Sequence, residues 1–496
     1  MKALLVYPDY PDTFWSFKHA LKFIFKKATN PPLGLMTVAA LLPRDWQIKL
    51  VDMNVRRLRD RDIAWADMVF LSAMSIQNSS VREVIRRCRA MGRKIVAGGP
   101  LFTTGHAEFE GVDHFVLGEA EITLPRFLAD LEHGCAKARY ETDERADITL
   151  APAPVWKLAA MRHYATMNSQ YSRGCPFDCE FCDITLLYGH APRTKTREQL
   201  LSELEGLYDA GWRGSVFFVD DNFIGNKRKL KEDILPALTE WMDRKRHPFV
   251  FITQASVELA DDRDLMRQMA RAGFDTVFVG IETPNEGSLQ ECAKHTNQGR
   301  DLVAAVQTIQ RSGLQVMGGF IVGFDNDPIS IFERQIQFIQ KTGIVTAMVS
   351  ILNALRGTKL YQRMCREKRI LAHDGTGSSI DCSINFEPRM DRAQLIAGYQ
   401  KLTKTLYTPR YYYERIRTFL KQYRPPQKKT RFRLDLNQLA ALARSTVRLG
   451  IIGRERFHYW RLLAWTMFQS PRLIPMSVTF AIYGFHFRKI YSRYRT

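Results

Sequence analysis

Three cysteines within a span of eight residues constrain this chain more than any other feature. Cys175, Cys179 and Cys182 follow a C-x3-C-x2-C spacing inside Tyr171-Ser-Arg-Gly-Cys-Pro-Phe-Asp-Cys-Glu-Phe-Cys-Asp183. A tight loop with that spacing can turn three thiolates toward one point, which makes one soft-metal site. Zinc usually takes paired C-x2-C units or added histidines, four ligands in all. No second pair exists here, because Cys88, Cys135, Cys292, Cys365 and Cys382 are scattered singly. Eight cysteines, mostly unpaired in sequence, also argue against a disulfide framework and for a reducing compartment, expected to be the cytoplasm.

Around that loop, short apolar runs alternate with helical patterns, so an α/β fold class is expected. Residues 1–140 predict a parallel, doubly wound, Rossmann-like sheet. Its strands are expected at Ala3–Tyr7, Ile48–Asp52, Met68–Ala73, Lys94–Ala97 and His114–Leu117, with helices near Leu33–Leu42, Val81–Met91 and Ile122–Glu132. Ligands of such sheets lie beyond the carboxyl ends of the strands. That rule lines up Asp52, Met74, Ser75, Gly98, Gly99, Pro100, Gly118 and Glu119 along one rim. No G-x-G-x-x-G follows the first strand, which argues against a dinucleotide. Gly98 and Gly99 equally suit a tight turn.

Residues 141–166, with Ala151-Pro-Ala-Pro-Val-Trp156, read as a linker with Trp156 at the junction. Residues 167–370 hold six strand–helix units, with strands expected at Ser169–Ser172, Ser215–Val219, Phe249–Gln254, Thr276–Ile281, Leu314–Val322 and Val345–Leu352. Six such units make a partial (β/α)6 barrel whose function gathers at the carboxyl ends of the strands. The polar residues there are Asp220, Asp221, Asn222, Gln254, Ser256, Glu282 and Asp325. Helix capping is the plainer role for the aspartates.

The cysteine loop, with Gly174 before it and Phe181 inside it, resembles the signature of the radical S-adenosylmethionine (SAM) superfamily. The resemblance implies a [4Fe-4S] cluster on Cys175, Cys179 and Cys182, with one iron left open to chelation by SAM. It also implies that an electron from the cluster cleaves SAM to a 5'-deoxyadenosyl radical. Phe181, Asp220, Asp221, Gln254, Ser256, Glu282 and Phe320 are the SAM contacts implied. Asp220 or Asp221 would hold the amino group, Glu282 the ribose, and the backbone of Gly318–Asp325 the adenine. Pro32-Leu-Gly-Leu35, Gly98-Gly-Pro100 and Leu117-Gly-Glu-Ala120 resemble the cobalamin-binding domain that precedes many radical SAM domains. Cobalamin is thus implied along the rim from Asp52 to Glu119. The D-x-H-x-x-G motif of other cobalamin proteins is absent, and His114 is expected to pack in the sheet. Residues 371–409, including Cys382, resemble a cap found in the subgroup that contains the hopanoid C-2 methylases. A lone cysteine such as Cys382 is more often a small buried filler.

The net charge of +20 is unevenly placed: residues 410–496 hold 19 Lys or Arg against 3 Asp or Glu. Residues 371–496 therefore read as a cap followed by a basic helical region. Tyr411-Tyr-Tyr413, Phe432, Phe457-His-Tyr-Trp460, Trp465 and the run Phe480–Phe487 lie among the arginines. Leu473–Phe487 is too short to span a membrane but long enough to lie in an interface. Basic residues flanking aromatic helices read as peripheral attachment to anionic lipid. A nucleic-acid partner is disfavoured because no RNA module is recognisable.

Together the resemblances imply a radical SAM, cobalamin-dependent C-methyltransferase acting on an unactivated carbon of an apolar, hopanoid-like lipid. An electron donor such as a ferredoxin or flavodoxin is implied as well. The alternatives are a related enzyme that closes or rearranges rings without methyl transfer, and a cobalamin-binding sensor or scaffold at the membrane.

Overall fold

The computed structural model describes residues 1–371, 382–425 and 436–492; Asp381 and Phe432 lie outside the described residues. Two six-stranded parallel sheets organise the chain. The first contains β1 (Lys2–Tyr7), β2 (Gln47–Asp52), β3 (Met68–Ser72), β4 (Lys94–Gly98), β5 (His114–Val116) and β6 (Arg139–Tyr140). Their order is β2-β1-β3-β4-β5-β6. Residues Ala3 to Val6 of β1 are all buried, as expected of a strand covered by helices on both faces. Leu35, Ala39, Leu124 and Phe127 pack on one face, and Ile63, Val81, Val84 and Cys88 on the other. The chain turns back at β1, so the carboxyl rim of the sheet holds the switch point where ligands of such folds bind. The two-residue β6 carries too little periodicity to be read from sequence.

The second sheet is a half-barrel. Its strands are β7 (Thr166–Ser169), β10 (Gly214–Phe218), β11 (Phe249–Gln254), β12 (Phe274–Glu282), β13 (Gln315–Val322) and β14 (Ala347–Ile351). They run in the order β14-β13-β12-β11-β10-β7. Local chemistry sets the intervening helices. Thr196 and Gln199 form a capping box at the start of Arg197–Asp209. Asp262 and Asp301 accept the amides of Leu265 and Ala304 at two further helix starts.

The first barrel strand departs from expectation. It ends at Ser169, and Ser172–Arg173 (β8) instead pairs antiparallel with Arg193–Thr194 (β9). The reason lies in Asp220, whose carboxylate accepts the amides of Tyr171 and Ser172. Those amides would otherwise need a strand partner.

Helices Arg392–Tyr407 and Pro409–Gln422 cover the edge strand β14. Tyr399 Oη donates to the carbonyl of Val349 at 3.0 Å, and Tyr407 Oη donates to that of Ala347 at 2.6 Å. Arg415, fully buried, donates to Gln340 Oε1 and to the carbonyls of Leu406 and Val345. An open strand edge is thereby closed with side-chain groups.

The aromatic run near the end of the chain requires a correction. Helix Ile474–Tyr491 does not lie at an interface, since Val478, Phe480, Ala481, Ile482, Phe487 and Ile490 are all buried. A helix that is apolar all round belongs in a core. His486 donates through Nε2 to the carbonyl of Phe14 at 3.2 Å, and Phe17 stacks on His486. Among the described residues, no helix is long and apolar enough to cross a membrane.

Candidate active site

The cysteine loop is held at both ends. The β8–β9 pair clamps its flanks, and the amide of Cys175 donates to the carbonyl of Gly189 at 3.2 Å. Gly174 has φ 95°, and a Cβ there would lie 2.7 Å from the carbonyl oxygen of Ala191. Only glycine tolerates both conditions. The Gly174 amide donates to Asp221 Oδ2 at 3.0 Å, and the Cys182 amide donates to the carbonyl of Cys179 at 3.1 Å. Inside the loop, Glu180 accepts from Arg363 at 2.7 Å.

Burial raises the pKa of all three thiols, to about 12 for Cys182. Buried thiols ionise against a metal, which deprotonates a coordinating thiol outright. Among the described residues, no group of three or more His, Cys, Asp or Glu is closed round a metal-sized point. The match to an iron–sulfur cluster therefore lies in the donor set, three free thiols on one clamped loop.

The strand ends around this loop carry most of the remaining candidates. Asp220 is fully buried and also accepts from Ser172 Oγ at 2.6 Å, so both its oxygens are taken by loop groups. Asp220 thus holds the start of the cysteine loop in place. Burial pushes the pKa of Asp220 up to about 7 and that of Asp221 to about 6. The Asn222 side chain accepts the amide of Ser256 at 3.1 Å. Glu282 ends β12 with φ 62°, a costly conformation for a non-glycine residue of the kind that clusters at functional sites. Its carboxylate meets Lys294 Nζ at 3.0 Å. Gly280 makes room for that pair, since a Cβ there would sit 2.3 Å from Glu282 Oε1. Burial works against the Lys294 ammonium, but the Glu282 carboxylate and the Cys179 thiol outweigh it and hold its pKa above the ordinary value. Sequence reasoning missed Lys294, whose only signal was a lysine twelve residues past a strand-end glutamate. The Phe320 ring is buried and packs edge-on against Phe338. Its strand is paired on both sides, to β12 and to β14. Phe181 is partly buried against Phe324.

On the first sheet, Met74 and Ser75 are exposed at the rim beyond β3. Gly99 has φ 87° and opens the helix Pro100–Gly105. A Cβ at Gly34 would touch nothing within 4 Å, and one at Gly118 would meet only the carbonyl of Thr142 at 3.9 Å. At Gly98 and Gly99 a Cβ would instead lie 2.5 Å from the carbonyl oxygen of Val116 and 2.4 Å from Ser72 Oγ, so only glycine lets the backbone take this path at the rim. Two assigned carboxylates are already committed within the protein. Asp52 accepts Tyr164 Oη at 2.9 Å and Asn54 Nδ2 at 2.8 Å. Glu119, with a side chain 1% exposed, meets Arg173 at 2.8 Å and Arg193 at 2.9 Å. Arg173 also meets Glu121 at 2.7 Å. Glu119 thereby joins the rim to the flanks of the cysteine loop, and Asp52 joins it to Tyr164 just ahead of β7. His114 packs in the sheet, with Nδ1 at 2.7 Å from the carbonyl of Lys137.

A cavity of about 810 Å³ opens on the barrel's inner face. Ile252, Gln254, Phe278 and Met317 wall it from the strands, Trp15 and Phe17 from the loop after β1, and Ile474, Val478, Ile482 and Tyr483 from the last helix. Gln254, the last residue of β11, lines it level with Phe278 and Met317, while Thr166, Gly214 and Ser215 line it from the amino ends of β7 and β10. Its size falls within the range of sites that enclose organic ligands, roughly 300–1,000 Å³.

Three family profiles match the chain: the B12 binding domain over residues 27–128, the Radical SAM superfamily over 169–339, and a domain of unknown function (DUF4070) over 358–496. An uncharacterized methyltransferase of Synechocystis sp. is 41% identical over 98% of this chain and 91% of its own length. The hopanoid C-2 methylase of Rhodopseudomonas palustris is 33% identical over 93% of this chain and 88% of its own length. In fold, the chain is similar to the cobalamin-dependent SAM radical enzyme OxsB, with TM-score 0.63 and 14% identity over 99% of this chain and 83% of that one. It is likewise similar to the methyltransferase TsrM of Kitasatospora setae, with TM-score 0.62 and 12% identity over 93% of this chain and 98% of that one. With its B12-binding and radical SAM segments and these relatives, the chain belongs to the cobalamin-dependent radical SAM methyltransferases, enzymes of a [4Fe-4S] cluster, SAM and cobalamin.

Proposed function

We propose that this enzyme methylates an unactivated carbon of a large apolar lipid of the polycyclic triterpenoid class, such as a hopanoid. The observation that carries this reading is the cavity, whose walls are mostly aromatic and aliphatic and include Gln254 at the end of β11. The 33% identity to a hopanoid C-2 methylase supports it. When bound, the three cofactors supply the electron, the hydrogen-abstracting radical and the methyl group.

The chain's own residues hold these groups apart and in register. Cys175, Cys179 and Cys182 ligate the cluster. Asp221, Gln254, Ser256, Glu282, Phe181 and the backbone at Phe320 hold SAM, with Asp221 the better placed of the two aspartates because Asp220 is spent on the loop. Met74, Ser75, Gly98, Gly99, Pro100 and Gly118 floor the corrin. The work divides among residues 1–140 for cobalamin, a linker at 141–166, 167–370 for SAM, and 371–496 for the cap and basic helices. A ferredoxin or flavodoxin class protein donates the electron, and the enzyme works at an anionic membrane face.

Anaerobic incubation of the reconstituted enzyme with methyl-labelled SAM and candidate lipids tests the proposal. The expected product has gained one methylene mass and carries the label. Absence of label from every lipid extract, with 5'-deoxyadenosine still formed, overturns the lipid reading.

A further inference from the structure

We propose that helix Arg456–Gln469 and the turn before it dock on an anionic lipid bilayer, and that the cavity draws its substrate from that bilayer past Pro471. The docking half stands on surface chemistry alone; the second half rests on the lipid reading above.

A surface helix normally turns its large apolar residues inward. This one carries large apolar residues on its outer face as well as its inner one, where Tyr459 and Leu462 are buried. Its inward residues include Tyr459 and Thr466, which hydrogen-bond Ser445 Oγ at 2.9 Å and Ser477 Oγ at 3.0 Å. Its outward residues include Phe457, 75% exposed, and Phe468, 86% exposed, with Trp460 and Met467 between them. Ile451 and Ile452, just before the helix, are 60% and 64% exposed. Large exposed apolar patches mark interaction surfaces.

The charge around the patch selects the occupant. Arg448, Arg454, Arg456, Arg461 and Arg472 lie between residues 436 and 492, where Glu455 is the only acidic residue. Glu455 is buried and paired to Arg488 at 2.7 Å. A basic helix with an aromatic and aliphatic face suits an anionic interface. A second copy of the chain fits poorly, because a twofold contact would set each arginine group against its own copy. RNA would find aliphatic Ile451, Ile452 and Met467 where it needs polar partners.

The patch adjoins the cavity wall in the chain. Phe468 lies three residues before Pro471, and Pro471, Ile474, Pro475 and Leu442 wall the cavity. Leu442 is itself exposed, as is neighbouring Leu439.

Flotation of the full-length reconstituted enzyme tests the docking, using vesicles of phosphatidylcholine and phosphatidylglycerol in equal parts against phosphatidylcholine alone. The wild type is expected to float with the anionic vesicles and to release at high salt. The double variant Phe457→Ser/Phe468→Ser, altered only at exposed positions, is expected to lose flotation about tenfold with unchanged circular dichroism. Its methylation of lipid presented in vesicles should fall by a similar factor, while methylation in detergent micelles holds. A wild type that stays unbound, a variant that floats equally well, displacement of the vesicles by RNA, or a wild-type dimer abolished by the same changes would each overturn the docking. Methylation in micelles without flotation would leave the lipid reading standing and the docking refuted; flotation without any lipid methylation would do the reverse.

Discussion

At Gly174 two conditions meet that no other residue satisfies, a φ of 95° and a carbonyl 2.7 Å from where a Cβ would stand. Gly174→Ala is therefore expected to displace the loop and cut the iron bound per chain to below half, measured by iron assay and visible absorbance after anaerobic reconstitution; normal iron loading would refute the clamp. Lys294 offers a second test at this scale. Lys294→Met strands the Glu282 carboxylate in a buried site, which should cost roughly 3–5 kcal/mol. Thermal unfolding reads this, and Glu282→Gln in the same chain should restore most of the loss. The triad and the strand-end acids were legible in the sequence because spacing and position along a βα unit are local properties. The partners that spend those acids were not: Glu119 meets Arg173, and Asp52 meets Tyr164, across gaps of 54 and 112 residues. Periodicity carries no information over such separations.

Among the elements, the strands and long helices emerged clearly from their apolar periods, and the shortest pieces did not. The β8–β9 clamp has two residues a side and depends on Asp220 from a different unit. Helix Ile474–Tyr491 misled in another way: its aromatic and basic composition suggested an interface, while its apolar residues on every side required burial. The exposed aromatics sit one helix earlier. His486 gives this helix a pH signature. Burial holds its pKa down at about 4, against an ordinary 6.5. A base with a depressed folded-state value stabilises fully above pH 6.5 and loses that contribution as pH falls toward 4, on the order of 3 kcal/mol. The melting temperature should drop across this window, and His486→Phe should flatten the drop; an equally steep profile in the variant would refute the assignment.

Over the whole molecule, the Glu119–Arg173–Arg193 group ties the rim of the first sheet to the flanks of the cysteine loop. Glu119→Gln is expected to loosen that registration without touching a cluster ligand. Methyl transfer should fall by more than about tenfold while 5'-deoxyadenosine formation persists, because cleavage needs one half of the site and transfer needs both. Parallel loss of the two products would show that the pair serves stability alone. The two-sheet layout was readable from strand–helix alternation; the way the sheets meet was not, since it rests on these few long-range pairs.

Finally, Phe14 and His486 touch although 472 residues separate them. Trp15 and Phe17 from one segment and Ile474, Val478 and Ile482 from the other wall the same cavity. Its enclosure therefore depends on a contact that no local stretch of chain can make, and loosening that contact would open the cavity without disturbing either sheet.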